Sequence, residues 1–410
     1  MFKGIQGNAR GCLLYEPLFI LPYSMITTYV SVYMYELGVN EWQIGFITSL
    51  GLILQIFTSF ISGYLTDRLG RRKALLYYDL LSWSIPTLIW AVSQNFWYFL
   101  IAAVFNSFLR VPNTAWYCLL VEDTEPKDRS IVFRILQIIG VIGGLFAPLA
   151  GLLVHHVTLV PAVRVLYVIF CVSVTVMFIA RNYATHETEI GLRKMQENTT
   201  VRLRDSLSEY FDVMKTVLSN RTLMTVFGVY ICFNFQITLQ NTYLSLYLVE
   251  ALKISDALIG IFPAISSAAM LALIFLIIPR FQEKKARQYM IVGFALAIAS
   301  KCLLIAALPG QMLPVILSTM LAASGSIIAS PYLEAVVANV IDDEHRAKMF
   351  SILQVLVLLF ISPSGLIGGW SYALDSRLPF ILMILAFAVS IALIISLIRK
   401  EKSQVAEVQT

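Results

Sequence analysis

Gly63-Tyr64-Leu65-Thr66-Asp67-Arg68-Leu69-Gly70-Arg71-Arg72-Lys73 is a short basic stretch set between two long apolar ones. The apolar run before it, 42–66, and the run after it, 73–94, are each long enough to cross ~30 Å of hydrocarbon. The stretch therefore reads as a charged turn at one face of a membrane. Its residue types suit that place. Gly63 permits close packing of helices, and Gly70 permits a sharp turn where φ becomes positive. Asp67 can accept hydrogen bonds from exposed amides at a helix N-terminus and favours its positive end.

The pattern extends outward from this turn. The chain has 410 residues, of which 58% are hydrophobic and 13% charged. A soluble domain carries about 25% charge, so most of this chain faces something other than water. Twelve helical spans are predicted, at 11–37, 42–66, 73–94, 97–121, 130–154, 160–182, 221–250, 257–279, 287–308, 312–340, 348–372 and 378–398. They are called spans 1 to 12 below. The short polar N-terminus followed by a long apolar stretch reads as a first membrane helix, not a cleaved leader. The five cysteines, Cys12, Cys118, Cys171, Cys232 and Cys302, lie scattered in apolar segments. None is spaced for a metal or a disulfide framework, and they read as buried small hydrophobes.

Of the 30 lysines and arginines, 25 fall on one side of the twelve spans. Arg164, Lys253 and Arg377 fall on the other, and Arg110 and Lys301 lie inside spans. The positive-inside rule then sets both termini and the long central connection in the cytoplasm of a cell membrane. The net charge of +5 is accordingly a topology signal, not a nucleic-acid surface. In the central connection, Leu203, Leu207, Phe211, Met214 and Leu218 recur at helical spacing, as in an amphipathic helix on the membrane surface. The expected organisation is a bundle over 1–182, a linker over 183–220 and a second bundle over 221–410.

The two halves echo each other. Residues 129–137 read R-S-I-V-F-R-I-L-Q and residues 346–354 read R-A-K-M-F-S-I-L-Q, each after an acidic turn and an upstream proline, Pro112 or Pro331. Gln137 and Gln354 close the two copies.

The turn at 63–73 resembles motif A of the major facilitator superfamily, G-x-x-x-D-R-x-G-R-R, with every defining position filled. The resemblance implies an all-α membrane protein with twelve transmembrane helices in two pseudo-symmetric six-helix bundles, and substrate bound near the midplane between parallel halves. It also implies a conformational latch built from Gly63, Asp67, Arg68, Gly70, Arg71 and Arg72. By position, Asp67 would reach the start of span 11 near Lys348 to Ser351, and Arg71 would reach Glu122 or Asp123 at the end of span 4. Span 5 carries Gly143-Gly144-Leu145-Phe146-Ala147-Pro148-Leu149-Ala150-Gly151, which resembles part of the antiporter motif G-x-x-x-G-P-x-x-G-G. Ala147, Leu152 and Arg134 stand where that motif has glycines. The alternative for these small residues is packing of span 5 against span 8.

Ionisable residues inside spans cost at least ~2.5–3.5 kcal/mol on insertion scales, so each needs a reason. Arg110 lies mid-span in span 4, one of the cavity-lining helices the resemblance implies, with Asn113, Thr114 and Tyr117 along the same face. It reads as a substrate-facing residue, or else as half of a structural ion pair. Glu16, with Tyr23 and Thr27 following it, is a candidate proton carrier; the alternative is an interfacial acid paired with Arg10. Glu334 is a second proton-site candidate. Asp79 reads as a partner for the basic turn, and Lys301 as a snorkelling residue. Span 7 holds Tyr230, Asn234, Gln236, Gln240, Asn241, Tyr243 and Tyr247, which suggests a hydrogen-bonding cavity wall; the alternative is glue between helices.

The substrate-binding set expected is Arg110, Asn113, Tyr117, Tyr23, Thr27, Asn234, Gln236, Gln240, Asn241, Gln137 and Gln354. Glu16 and Glu334 are the expected proton-coupling pair. The reading is a secondary transporter acting by alternating access on a small organic or amphipathic compound, proton-coupled and leaning to export. Uptake of a polar nutrient and a non-transporting receptor or scaffold are the alternatives. No nucleophile–base constellation, metal spacing or phosphate loop points to an enzyme, and no cofactor is expected. The partners expected are a small-molecule substrate, protons and membrane lipid, with no nucleic acid, and the chain is expected to act as a monomer.

Overall fold

The structure is a computed structural model, and it describes residues 7–197, 221–276, 286–340 and 346–409. Within these stretches the side chains of 126–130, 134, 197, 221–222, 286, 334–340, 346–353 and 400–409 are not described. Every regular element among the described residues is a helix. Among the described residues, nine helices are long and apolar enough to cross a membrane, and the bent pair Gly7–Thr27 and Val30–Glu36, taken as one span, makes a tenth. Spans 3 and 4 are also helical but interrupted. Span 3 contains a π segment, Leu80–Ser84, and span 4 a 3-10 turn, Ser107–Leu109. The amphipathic helix expected over Leu203 to Leu218 lies outside the described residues.

Local chemistry sets the helix ends. Span 2, Glu41–Leu69, begins with a reciprocal capping box: Asn40 Oδ1 accepts from the Gln43 amide at 2.9 Å, and Gln43 Oε1 accepts from the Asn40 amide at 3.1 Å. Asn95 caps span 4 in the simpler way, accepting from the Trp97 amide at 3.1 Å. Span 5 runs over Pro126–Gly144 and restarts at Ala147–Val157, with Pro148 in the first turn of its second half. A proline there loses no helical hydrogen bond.

Contacts divide the chain into two units. The first comprises Met1–Leu207 with Ser255–Ala264, and the second Ser208–Ile254 with Ile265–Thr410. In the first unit, polar contacts tie span 2 to span 4: Thr58 Oγ1 donates to the Ser107 carbonyl at 2.7 Å, and Thr114 Oγ1 meets Ser62 Oγ at 3.2 Å. Such interhelical bonds average about 0.6 kcal/mol each in membranes. An apolar core of Ala9, Cys12, Leu13, Ala74, Leu75, Ala115, Leu119, Leu120, Val132 and Ile135 joins spans 1, 3, 4 and 5 beneath the charged turn. In the second unit, spans 9 and 10 touch through small residues. A Cβ on Gly293 would come within 2.7 Å of the Gly325 carbonyl, and Ser300 and Ser318 hydrogen-bond across the same seam. Cysteine burial is uneven: Cys12 and Cys171 are buried, but Cys302 is exposed, against the expectation for all five.

Candidate functional site

The charged turn folds around Gly70, which has φ 83 and ψ 153 and separates Glu41–Leu69 from Arg71–Asp79. That conformation is open almost only to glycine. Gly63 behaves differently from expectation. A Cβ there would meet nothing within 4 Å, so it makes no close helix contact among the described residues. Arg71 is 4% exposed and does hold the expected Glu122: its Nε and Nη2 donate to Glu122 Oε1 at 3.3 and 3.2 Å. Its Nη1 donates to Asp67 Oδ1 at 2.8 Å. Burial alone would push the Arg71 guanidinium down, but the hydrogen bond and charge of Glu122 and the charge of Asp67 outweigh it and raise it above its ordinary value. Arg68 stays outside this network, donating to Tyr64 Oη at 2.9 Å.

The rest of the network comes from the linker. Glu187 accepts the Arg71 amide at 2.8 Å and the Arg72 amide at 3.0 Å, one on each carboxylate oxygen. It thus caps the N-terminus of the helix that follows Gly70. Thr188 Oγ1 donates to Glu122 Oε2 and accepts from the Gly191 amide at 2.9 Å, which also starts the short linker helix Glu189–Glu197. Arg72 Nε donates to the Asn182 carbonyl at 2.8 Å. Asp123 turns away from Arg71. It accepts from Asn8 Nδ2 at 2.5 Å and lies 3.3 Å from His186 Nε2. Asn8 in turn bonds both backbone groups of His186. Gly70 and Gly191 have no room for a Cβ, because the Glu187 carboxylate occupies the space beside each. The expected reach of Asp67 to the side chains at the start of span 11 lies outside the described residues.

A second charged cluster is buried inside the first unit. Arg181 of span 6 pairs with Asp79 of span 3, at 4% and 6% exposure. Asp79 is thus not the partner of the basic turn: one helical face carries it inward toward span 6. Glu16 of span 1 lies within electrostatic reach of both. Its Oε2 is buried with no hydrogen-bond partner. It sits where span 1 breaks before Pro17, and its carbonyl accepts the Phe19 and Ile20 amides at 3.0 Å.

The expected substrate set divides. Arg110 Nε donates to Gln55 Oε1 of span 2 at 3.0 Å. Asn113 is exposed and Tyr117 is 54% exposed. Tyr23 stacks on Phe19 with centroids 5.2 Å apart and meets Trp83 and Phe170 of spans 3 and 6, yet remains 38% exposed. Thr27 turns back to the Ser24 carbonyl at 3.4 Å. In span 7, Asn234 donates to its own helix at Tyr230, Tyr243 Oη donates to the Gly365 carbonyl of span 11 at 2.8 Å, and Gln236 is 6% exposed. Asn241 and Gln137 are exposed and Gln354 is half-buried. The Glu334 side chain lies outside the described residues. Lys301 does not snorkel: it is 2% exposed, and its Nζ donates to Gln240 Oε1 at 2.8 Å.

The small residues of span 5 make two contacts. A Cβ on Gly143 would run into Ile20 of span 1, and Ser24 Oγ donates to the Gly143 carbonyl at 2.6 Å. A Cβ on Gly151 would run into the Ala257 carbonyl, where Tyr29 Oη also donates to the Asp256 carbonyl at 3.1 Å. Among the described residues, no group of three or more histidine, cysteine or acidic side chains is arranged to hold a metal ion.

The sequence profile of the Major Facilitator Superfamily matches residues 18–284 and 226–409, and the chain belongs to that family. It is therefore a transporter and not an enzyme. A curated relative, the uncharacterized MFS-type transporter YqjV of Bacillus subtilis (strain 168), is 27% identical over 131 residues. That match spans 32% of this chain and 32% of the relative's length. Solved structures share the fold over nearly the whole chain. The nucleoside transporter NupG superposes with a TM-score of 0.72 at 16% identity, covering 96% of this chain and 99% of its own. A POT family transporter in complex with 5-aminolevulinic acid gives 0.68 at 14% identity, covering 95% of each. The human organic anion transporter MFSD10 gives 0.66 at 16% identity, covering 94% of this chain and 98% of its own.

Proposed function

We propose that the protein is a proton-coupled secondary transporter that works by alternating access and exports a small organic compound. The observation that carries the proton coupling is the cluster Glu16, Asp79 and Arg181. One guanidinium faces two carboxyl groups inside an apolar bundle, and it is already engaged by Asp79. The buried Glu16 oxygen without a partner is where a proton balances the cluster. When that proton leaves, the bundle gains a negative charge, and a change of that kind can bias one conformation over another.

Supporting features lie elsewhere in the first unit. Arg110, fixed by Gln55, stands beside the exposed Asn113 and Tyr117 and supplies hydrogen-bonding chemistry for a polar group on the substrate. The Arg71–Glu122–Glu187 network is a latch at the basic end, which the positive-inside rule assigns to the cytoplasm. Export is read from the partial resemblance of Gly143 to Gly151 to the antiporter motif; the close approach of Gly151 to Ala257 of span 8 fits the packing alternative equally well.

The test is reconstitution in proteoliposomes with a trapped pH-sensitive dye and an imposed pH gradient. Substrate from a panel of organic cations, anions and neutral amphipathic compounds is added in turn. Proton movement on addition of at least one class is expected. Substrate movement without proton movement would remove the coupling, and no flux with any class would favour a receptor.

A further inference from the structure

Among the described residues, the second unit buries a cation without an anion. Lys301 is 2% exposed, and its hydrogen bond to Gln240 at 2.8 Å is the one it makes among the described residues. No carboxylate of the described residues lies within electrostatic reach of it. The acids described in this unit are engaged elsewhere: Glu250 pairs with Lys253, and Asp375 accepts the Arg377 amide at 2.8 Å. Burial of an ionised group is costly unless an opposite charge or a set of hydrogen bonds compensates it.

The chemistry of the ammonium group fixes its neighbour. It has three donors and no acceptor. Gln240 must therefore turn its carbonyl oxygen toward Lys301, which leaves its amide nitrogen pointing the other way. That nitrogen carries two N–H donors, and it is neither enclosed nor hydrogen-bonded among the described residues. A cation pulling on the carbonyl end polarises the amide and strengthens its free N–H donors. Asn241, the next residue of the same helix, is exposed.

We propose that Gln240, backed by Lys301, binds an anionic group of the substrate, a carboxylate above all. Lys301 is a positioning residue that sets the amide and lends it charge. The ligand's anion completes the pair that the second unit leaves open. The proposal rests on the reading that span 7 contributes to the substrate path, and it names the substrate class that reading lacks.

The test uses the purified full chain in detergent and does not depend on transport. Thermal midpoints are measured with benzoate and naphthoate, each beside its uncharged primary amide, benzamide and naphthamide. The carboxylates should raise the midpoint above their amides in the wild type. Lys301→Met, unbranched like lysine but one atom shorter and without charge, should erase that difference, and Lys301→Arg should keep part of it. Gln240→Glu should also erase it while holding or raising the ligand-free midpoint, because it places an acid against Lys301. Equal shifts from carboxylate and amide, no shift from either, or a difference that survives Gln240→Glu would overturn the proposal. A difference lost in Arg110→Gln but kept in Lys301→Met would also overturn it, by moving the anion to span 4. Failure of proton coupling in proteoliposomes would leave this discrimination intact, so the two readings fail separately.

Discussion

At the scale of single residues, position in the backbone and burial of charge decide most of what matters. Gly70 sits at φ 83 and ψ 153, a conformation costing other residues of order 1–3 kcal/mol. Gly70→Ala should lower the folding free energy by that amount or more, seen as a lower thermal midpoint, since its methyl would also press on Glu187. Breaking the buried pair should cost more. Arg181→Ala strands Asp79 and is expected to destabilise by about 3–5 kcal/mol. The double variant Asp79→Asn with Arg181→Gln should be milder than Arg181→Ala alone, because it removes both charges. Calorimetric or fluorescence melts of the three proteins check this, and equal losses in all would mean that the pair's charge is not what holds spans 3 and 6. Gly70 was legible from the turn itself, and Arg71's pairing with Glu122 or Asp123 was expected only from the resemblance of the turn to a family motif. Arg181, Glu187 and Asn8 were not legible, since their partners stand far off in the chain. Asp79 and Arg181 are 102 residues apart, and Arg71 and Glu187 are 116 apart. No periodicity reports a contact across such a distance.

At the scale of elements, the helices were readable from apolar length, but their breaks were not. Hydropathy shows neither the π segments Leu80–Ser84 and Tyr247–Ala251 nor the bend within span 1, because a break in hydrogen bonding leaves composition unchanged. The linker is the other case. Its compositional signal pointed to an amphipathic surface at 203–218, whereas the described part, from Thr185 onward, grips the charged turn through Glu187 and Thr188. A threonine three residues before a glycine, just after a long span, was the available hint of a helix start at Thr188. Glu187→Ala should release two capped amides at a cost of roughly 0.5–2 kcal/mol. Hydrogen exchange followed by mass spectrometry should then show faster exchange at Arg71 and Arg72, with the core of span 2 unchanged. Exchange at those two amides equal to wild type would mean that the linker does not hold the turn.

At the scale of the whole molecule, the described residues of each unit show one buried charge problem. The first has an acid in excess, Glu16 beside Asp79 and Arg181. The second has a base in excess, Lys301 against Gln240. The first suits a proton and the second suits an anion, and both sit in bundles whose apolar interiors make any change of charge felt. The charged turn is proposed as a latch, and the contacts of Arg71, all within the turn, the end of span 4 and the linker, say nothing of what is carried. The central claim is that Glu16 carries the coupled proton. The most direct measurement is substrate-driven proton flux in proteoliposomes for wild type and Glu16→Gln side by side, with substrate-induced thermal shift recorded on the same preparations. The account predicts that Glu16→Gln binds substrate, keeps its midpoint and moves no protons with it. Proton flux at the wild-type rate in Glu16→Gln would contradict it.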